Sequence, residues 1–374
     1  MSIKRMAASA VALAAIGGVA AVSAAGAATS TNWATVTSAA QGGGMKALVA
    51  AAKAEGTLNV IALPPTWANY QTQISTFSKK YGIKVKSYNP NGSSAQEIQA
   101  VKTTSGRSSA PDVVDIGQAY TATPGFSTLF TPYKVAAWNQ IAANAKAPNA
   151  TWVNDYGGYV SFGCDMTVVK TCPTTWNALK SSQYKNDITV NGPFDSAAAA
   201  QGAVFGAAIN TGGSLDNVQP GINFFKSLMA NGNFNSTDCN SPSVIEAHQC
   251  PILINWDYLN SAKSYGLPAN IAKNWKVVDP NGPAFAGYYV QAISKAAPHP
   301  AAARLWEEFL YSTQGQNIWL SGGARPIELP AMMKAGTANK KSLAALPKVT
   351  GKPALPTVAQ STKGAKLIAA QLAS

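Results

Sequence analysis

Apolar and polar positions along this chain recur with two different periods, and each period predicts an element. Leu58-Asn59-Val60-Ile61-Ala62-Leu63 is a short apolar run bounded by Gly56 and Pro64, the mark of a strand. Trp67, Tyr70, Ile74, Phe77 and Tyr81 then recur every three or four residues, one face of an amphipathic helix with Thr66 as its N-cap. Residues 83–88 alternate as a second strand. Ser94-Ala95-Gln96-Glu97 reads as a capping box opening a helix that carries Ile98 and Val101. A third strand is expected at 112–116, ended by Gly117. Later strands are expected at 159–162, 187–190, 251–255, 275–279 and 287–293. Helices are expected from a cap at Asp195 or Ser196 toward Asn210, over 221–230, and over 300–310. In the last of these Leu305, Trp306, Phe309 and Leu310 share a stripe, and Glu307-Glu308 reads as its solvated face. Strand–helix–strand alternation of this kind predicts α/β layers on a mainly parallel sheet.

The two ends read differently. Lys4 and Arg5 precede an apolar stretch, Met6 to Val22, followed by small residues around Ala24 and Ala27. That is the pattern of a secretory signal over residues 1–27. Its Ala/Gly content makes it a weak membrane span, since a bilayer core needs about 20 apolar residues. Residues 28–44 end in Gly42-Gly43-Gly44 and read as a flexible lead-in. From 335 to 374 the chain turns to Lys, Ala, Pro and Thr, a loosely packed tail with a short helix near 366–372.

Composition narrows the function. Of 374 residues 47% are apolar and only 12% charged, which excludes wholesale disorder. The formal charge is +13, or +11 without residues 1–27. The bases are scattered, with no run of five, so no nucleic-acid partner is expected. Cys164, Cys172, Cys239 and Cys250 allow three connectivities, of which local pairing, Cys164–Cys172 and Cys239–Cys250, is the simplest in an oxidising compartment. Zinc would want closer Cys spacing and His partners, so no metal and no cofactor is expected. There is no GxSxG, GxxxxGK[ST] or HExxH, and two His with 16 acids offer little for acid–base work. No enzyme is expected.

Several stretches taken together resemble a known family. They are Glu55 to Val60, Thr66 to Tyr70, Pro111 to Gly117, Ile254 to Tyr258, Gly287 to Ile293, Ala297 to Leu310 and Ser312 to Gln316. In order and spacing the chain resembles the extracellular solute-binding proteins of ABC importers, in the branch with polyamine-, iron- and phosphonate-binding members. The resemblance implies a two-lobed α/β fold with the ligand in a cleft between lobes. Residues 45–153 and 284–334 would form the first lobe and 154–283 the second. The protein would be exported, soluble and monomeric, delivering a small molecule to an ABC membrane permease.

Ligands in open α/β sheets sit beyond the carboxyl ends of strands, where helix N-termini offer unpaired N–H groups. The candidate contacts are therefore Trp67, Tyr70, Ser93, Ser94, Asp115, Asp195, Ser196, Trp256, Asp257 and Tyr288. Trp67, Tyr70, Asp115, Trp256, Asp257 and Tyr288 supply rings and carboxylates, which suit the ammonium groups of a polyamine such as putrescine or spermidine. That is the leading reading. A small organic anion such as a phosphonate suits the helix N-termini and the basic background. Ferric iron is a further alternative, although the adjacent tyrosine pair of iron-binding relatives is not reproduced, Tyr258 standing alone. An exported α/β enzyme acting on a small substrate is the alternative from another class.

Overall fold

The computed structural model of the protein describes Met1, residues 31–239 and residues 241–373. Apart from Met1, the expected signal segment lies outside the described residues. Ten strands occur among these residues: β1 Thr57–Ile61, β2 Lys84–Tyr88, β3 Val113–Gly117, β4 Phe130–Thr131, β5 Val153–Asp165, β6 Ile188–Val190, β7 Ile252–Trp256, β8 Trp275–Val278, β9 Ala286–Ser294 and β10 Arg325–Pro326. The longer helices are α1 Met45–Glu55, α2 Tyr70–Tyr81, α3 Ser94–Thr103, α4 Ala198–Asn210, α5 Gln219–Ala230, α6 Pro300–Leu310, α7 Thr313–Ser321 and α8 Val358–Leu372.

The main sheet runs β3-β9-β5-β7-β6, with β4 beside β9 and with β8 and β10 beside β5. β5 is the spine. Its first part pairs with β9, Val153 opposite Gln291 and Tyr159 opposite Ala286. Its second part pairs with β7 on one side and β8 on the other. β5 carries the chain out of the first half of the sheet and β9 brings it back, so the two run antiparallel. For that reason the mainly parallel sheet read from the sequence is realised only in β1–β2 and β6–β7, and every pairing made by β5 or β9 is antiparallel. β1 joins this frame through Asp112, which accepts from the Asn59 N–H (2.6 Å) and returns its own N–H to the Asn59 carbonyl (2.9 Å). His299 fastens the start of α6 to the same carboxylate, at 2.9 Å from Nδ1.

Local details shift the expected caps. Ala68 and Asn69 take positive φ, so the helical stripe breaks after a short turn at 67–69 and α2 begins at Tyr70. The capping box of α3 is Ser93 with Gln96, one residue earlier than expected. Ser94 is thereby freed to accept from the Gly117 N–H (3.0 Å), and Glu97 from the Asp115 N–H (2.9 Å). α4 has Ala197 at its N-cap and no side-chain cap, so neither Asp195 nor Ser196 fills that role.

Glu307 and Glu308 are buried, not solvated, because α6 is covered on every side. Glu308 accepts from the Tyr133 hydroxyl and the Ala136 N–H. The lead-in is also anchored. Buried Arg304 donates from Nε to the Val36 carbonyl (2.8 Å) and from Nη2 to that of Ala34 (3.1 Å), and Trp33 and Val36 are buried. The tail carries a fifteen-residue helix, α8, where a short one was expected.

Beneath the β5–β9 ladder lies a buried acidic network. Asp115 Oδ2 accepts from the hydroxyls of Tyr70 (2.5 Å) and Tyr156 (2.9 Å), and Trp67 Nε1 donates to the Tyr156 oxygen (2.8 Å). Asp155 accepts from Gln291 (2.9 Å) and from the Tyr156 N–H (2.7 Å). None of Glu97, Asp115 and Asp155 forms an ion pair among the described residues. Desolvation therefore drives all three carboxyls up, Asp115 to about 7, with mutual repulsion adding to the rise at Glu97 and Asp155. Burial likewise lifts Glu307 to about 8 and Glu328 to about 7.

Cys164–Cys172 and Cys239–Cys250 are both disulfide-bonded, as local pairing predicted. The second closes a small cluster of Ile245, Leu253, Leu267, Ile271 and Trp275. Replacing either pair with Ser should lower the unfolding free energy by roughly 2–3 kcal/mol, the value expected for loops this short. Chemical denaturation of the two variants measures it.

The raised carboxyls set the direction of pH dependence. Between their unfolded values near ~4 and their raised values, the native chain holds protons that the unfolded chain has released. The stability they confer is complete below the unfolded values and is lost as pH rises through about 7 to 8. The unfolding free energy should fall from pH 5 to pH 8.5, Asp115 alone contributing on the order of 2–3 kcal/mol at ~1.4 kcal/mol per tenfold change in proton affinity. Asp115→Asn, which fixes the neutral form, should flatten part of that slope. A profile that rises with pH contradicts the assignment.

Candidate functional site

Where β3 and β7 end and β9 begins, the elements leave a cavity of about 50 Å³. Its walls are the Gly117–Tyr120 loop after β3, the first turns of α4, Trp256 at the end of β7, the start of β9 and, from the C-terminal segment, Pro356 and Ser361. The Trp256 indole forms part of the wall because two glycines make room for it. A Cβ at Gly202 would lie 2.6 Å from the ring and one at Gly287 2.2 Å. The cavity is closed at the side by a hydrogen bond from the Tyr120 hydroxyl to the Ser196 carbonyl (2.6 Å).

The polar side chains facing this space are all uncharged. α4 opens on Ala198-Ala199-Ala200 with no side chain capping it, and Ala198 lines the cavity. Gln118 is 6% exposed, and its Nε2 has no hydrogen-bond partner. Burial pushes up the phenols of Tyr120 (to about 12), Tyr288 and Tyr289, so all three stay protonated. No Asp, Glu, Lys or Arg lines the cavity among the described residues. A neutral pocket bordered by a helix N-terminus favours a negatively charged group over a cation.

The candidate contacts divide into three sets. Trp256 and Tyr288 line the cavity. Trp67, Tyr70 and Asp115 lie one layer behind it, tied to it through Tyr289, whose ring meets Trp67 edge-on at 5.7 Å and stacks on Tyr156 at 5.8 Å. Ser93 and Ser94 act locally, Ser93 as the α3 cap and Ser94 as support for the Gly117 loop. Asp195 is exposed beside the mouth, and Ser196 contributes its carbonyl to the Tyr120 bridge.

Asp257 is 2% exposed and forms an ion pair with Arg325. It also accepts from the N–H groups of Tyr159 (3.1 Å) and Tyr258 (2.9 Å). Burial pushes its carboxyl up, and Arg325 and those two N–H groups pull it back. Arg325 in turn stacks 4.0 Å over the Tyr159 ring. Gln118, Gln201 and Tyr289 also line the cavity and are not among the candidate contacts. Gln118 carried a usable signal, since it directly follows a strand end.

A second hollow, of about 320 Å³, lies between Val101, Lys102, Thr128, Leu129 and Lys295. Its lysines are exposed and no buried polar group faces it, so the first cavity is the better candidate.

Known structures share this architecture. The periplasmic binding protein AfuA from Actinobacillus pleuropneumoniae, with fructose-6-phosphate bound, is 17% identical, covers 84% of this chain and 98% of its own, with a TM-score of 0.62. Iron-bound HitA from Pseudomonas aeruginosa is also 17% identical, covering 84% and 99%, at 0.61. A putative spermidine/putrescine ABC transporter protein from Listeria monocytogenes is 13% identical, covering 84% and 98%, also at 0.61. At these identities the likeness establishes the two-lobed periplasmic-binding-protein fold. No curated protein sequence matches the chain. Among the described residues no helix is long and apolar enough to cross a membrane. The model of one sequence family matches residues 127–351, more than half of the chain, and on that match the chain belongs to the bacterial extracellular solute-binding proteins.

Proposed function

We propose that this chain is the extracytoplasmic receptor of an ABC importer and that its solute carries an oxyanion, a carboxylate or a phosphate-type group. The first lobe comprises residues 45–153 and 284–334 and the second 154–283, with residues 1–27 a secretory signal. The chain acts as a monomer that hands its solute to a membrane permease. The observation that carries the reading is the unpartnered, buried Gln118 Nε2 beside the uncapped first turn of α4, in a cavity without a carboxylate. A polyamine would need acceptors there, and the acids read for that role are engaged elsewhere, Asp257 with Arg325 and Asp115 with two tyrosines. The aromatic walls at Trp256 and Tyr288 suit a solute with an apolar or ring portion beside its charged end.

Calorimetric titration of the mature protein with inorganic phosphate, methylphosphonate, succinate, fructose-6-phosphate and putrescine tests the charge class. Heat is expected with at least one oxyanion and none with putrescine at millimolar concentration. Gln118→Leu should weaken the oxyanion by about 10- to 100-fold, the loss of one hydrogen bond to a charged group. Heat with putrescine alone overturns the reading.

Asp257 separates structure from recognition. Asp257→Asn leaves Arg325 buried without its counter-charge and should cost on the order of 3–5 kcal/mol of stability, with affinity for the oxyanion unchanged. Denaturant unfolding alongside the same titration reads both. A loss of affinity at full stability would place Asp257 in the binding site.

A further inference from the structure

The cavity, at about 50 Å³, leaves little room for a solute that joins a ring portion to a charged end, the kind its aromatic walls suit. Some wall must therefore move, and the C-terminal segment is the wall that touches both sides. Ala354 pairs with Phe285 at the start of β9, donating its N–H to the Ala284 carbonyl (2.8 Å) and accepting the Ala286 N–H (2.9 Å). Pro356 and Ser361 then face the cavity. α8 follows, with Ser361, Gly364, Ile368 and Leu372 buried along one stripe.

α8 touches two sets of elements. At its beginning Val358 packs on the cluster of Ile98, Val114 and Ile116 around β3. Thr362 Oγ1 reaches the Ala119 carbonyl (3.4 Å) in the loop after β3. Farther along, Gly364 lies against the Phe205 ring of α4, where a Cβ would come within 2.2 Å. Gln371 exchanges hydrogen bonds with Gln219 and accepts from Lys226, both on α5 (2.9–3.1 Å). The matched family region stops at residue 351, before this helix begins.

We infer that α8 is a clasp: it holds the β3 loop to α4 and α5 across the cavity, and it must release one of them before solute can enter. The inference rests on the cavity being the solute site. Hinged opening between the β3 side and the α4–α5 side breaks either the Thr362–Val358 grip or the Gly364–Gln371 grip. The side-chain hydrogen bonds of Thr362 and Gln371 at the rim lie partly exposed, which suits a reversible release. Ser361, carried on the clasp, is then a residue that meets the solute only in the closed form.

The test uses the full mature chain and needs no solute. All four native cysteines are in disulfides, so Gln201→Cys places the sole free thiol in the cavity wall. Its alkylation rate by N-ethylmaleimide reads how often the cavity opens. Adding Gly364→Leu drives a side chain into Phe205 and should lift α8, raising the rate by about tenfold or more. If that chain does not fold by circular dichroism, Thr362→Ala with Gln371→Ala removes only rim hydrogen bonds and should raise the rate about two- to tenfold. An unchanged rate in either folded variant shows α8 to be passive packing and rejects the clasp, leaving the oxyanion reading standing. Silent titrations reject the oxyanion reading and leave the alkylation result as it is.

Discussion

The antiparallel ladder between β5 and β9 is the constraint on which the rest of the molecule depends. Two strands that leave and re-enter the same sheet fix where β3 and β7 must end, and the cavity lies at those ends. The ladder is buried, so its polar side chains cannot rely on water. Gln291 Nε2 donates to Asp155 across it, and the Tyr70 and Tyr156 hydroxyls donate to one oxygen of Asp115 beside it. A neutral carboxyl suits such a place better than an ion, because burying an unpaired charge is far costlier than burying a protonated acid. The network and the ladder thus support one another. Tyr289, on β9, carries that rigidity from the network to the cavity wall.

Much of this was legible in the sequence because it is local. Short β-branched runs bounded by Gly or Pro became β1, β3 and β7 within a residue or two. Cysteines eight and eleven positions apart found each other. What escaped was non-local. Nothing near Asp257 announces Arg325, 68 positions away, so an acid at a strand end read as a ligand contact instead of half an ion pair. Glu307 and Glu308 looked solvated because the partner of Glu308, Tyr133, comes from 175 residues earlier. The long C-terminal helix did have a signal, the Thr357/Gln360 capping box, masked by a composition that resembled a loose tail.

The same distinction separates the cavity's layers. Of the residues that touch the space, Trp256 could be placed from a strand end and Tyr288 from alternation along a strand. Those that hold it in shape could not, since Trp67 and Tyr70 were turned into the second layer by two left-handed residues, Ala68 and Asn69. A single bend in the chain converted expected contacts into supports.

The uncapped start of α4 carries a consequence for how this site can vary over evolutionary time. Its donors are peptide N–H groups on an alanine run, and main-chain atoms are not erased by changing a side chain. Substitution at any one of those alanines leaves the positive end of the helix in place. The electrostatic contribution of that helix end is therefore insulated from point mutation, whereas whatever Gln118 and Ser361 contribute rests on side chains that one substitution removes.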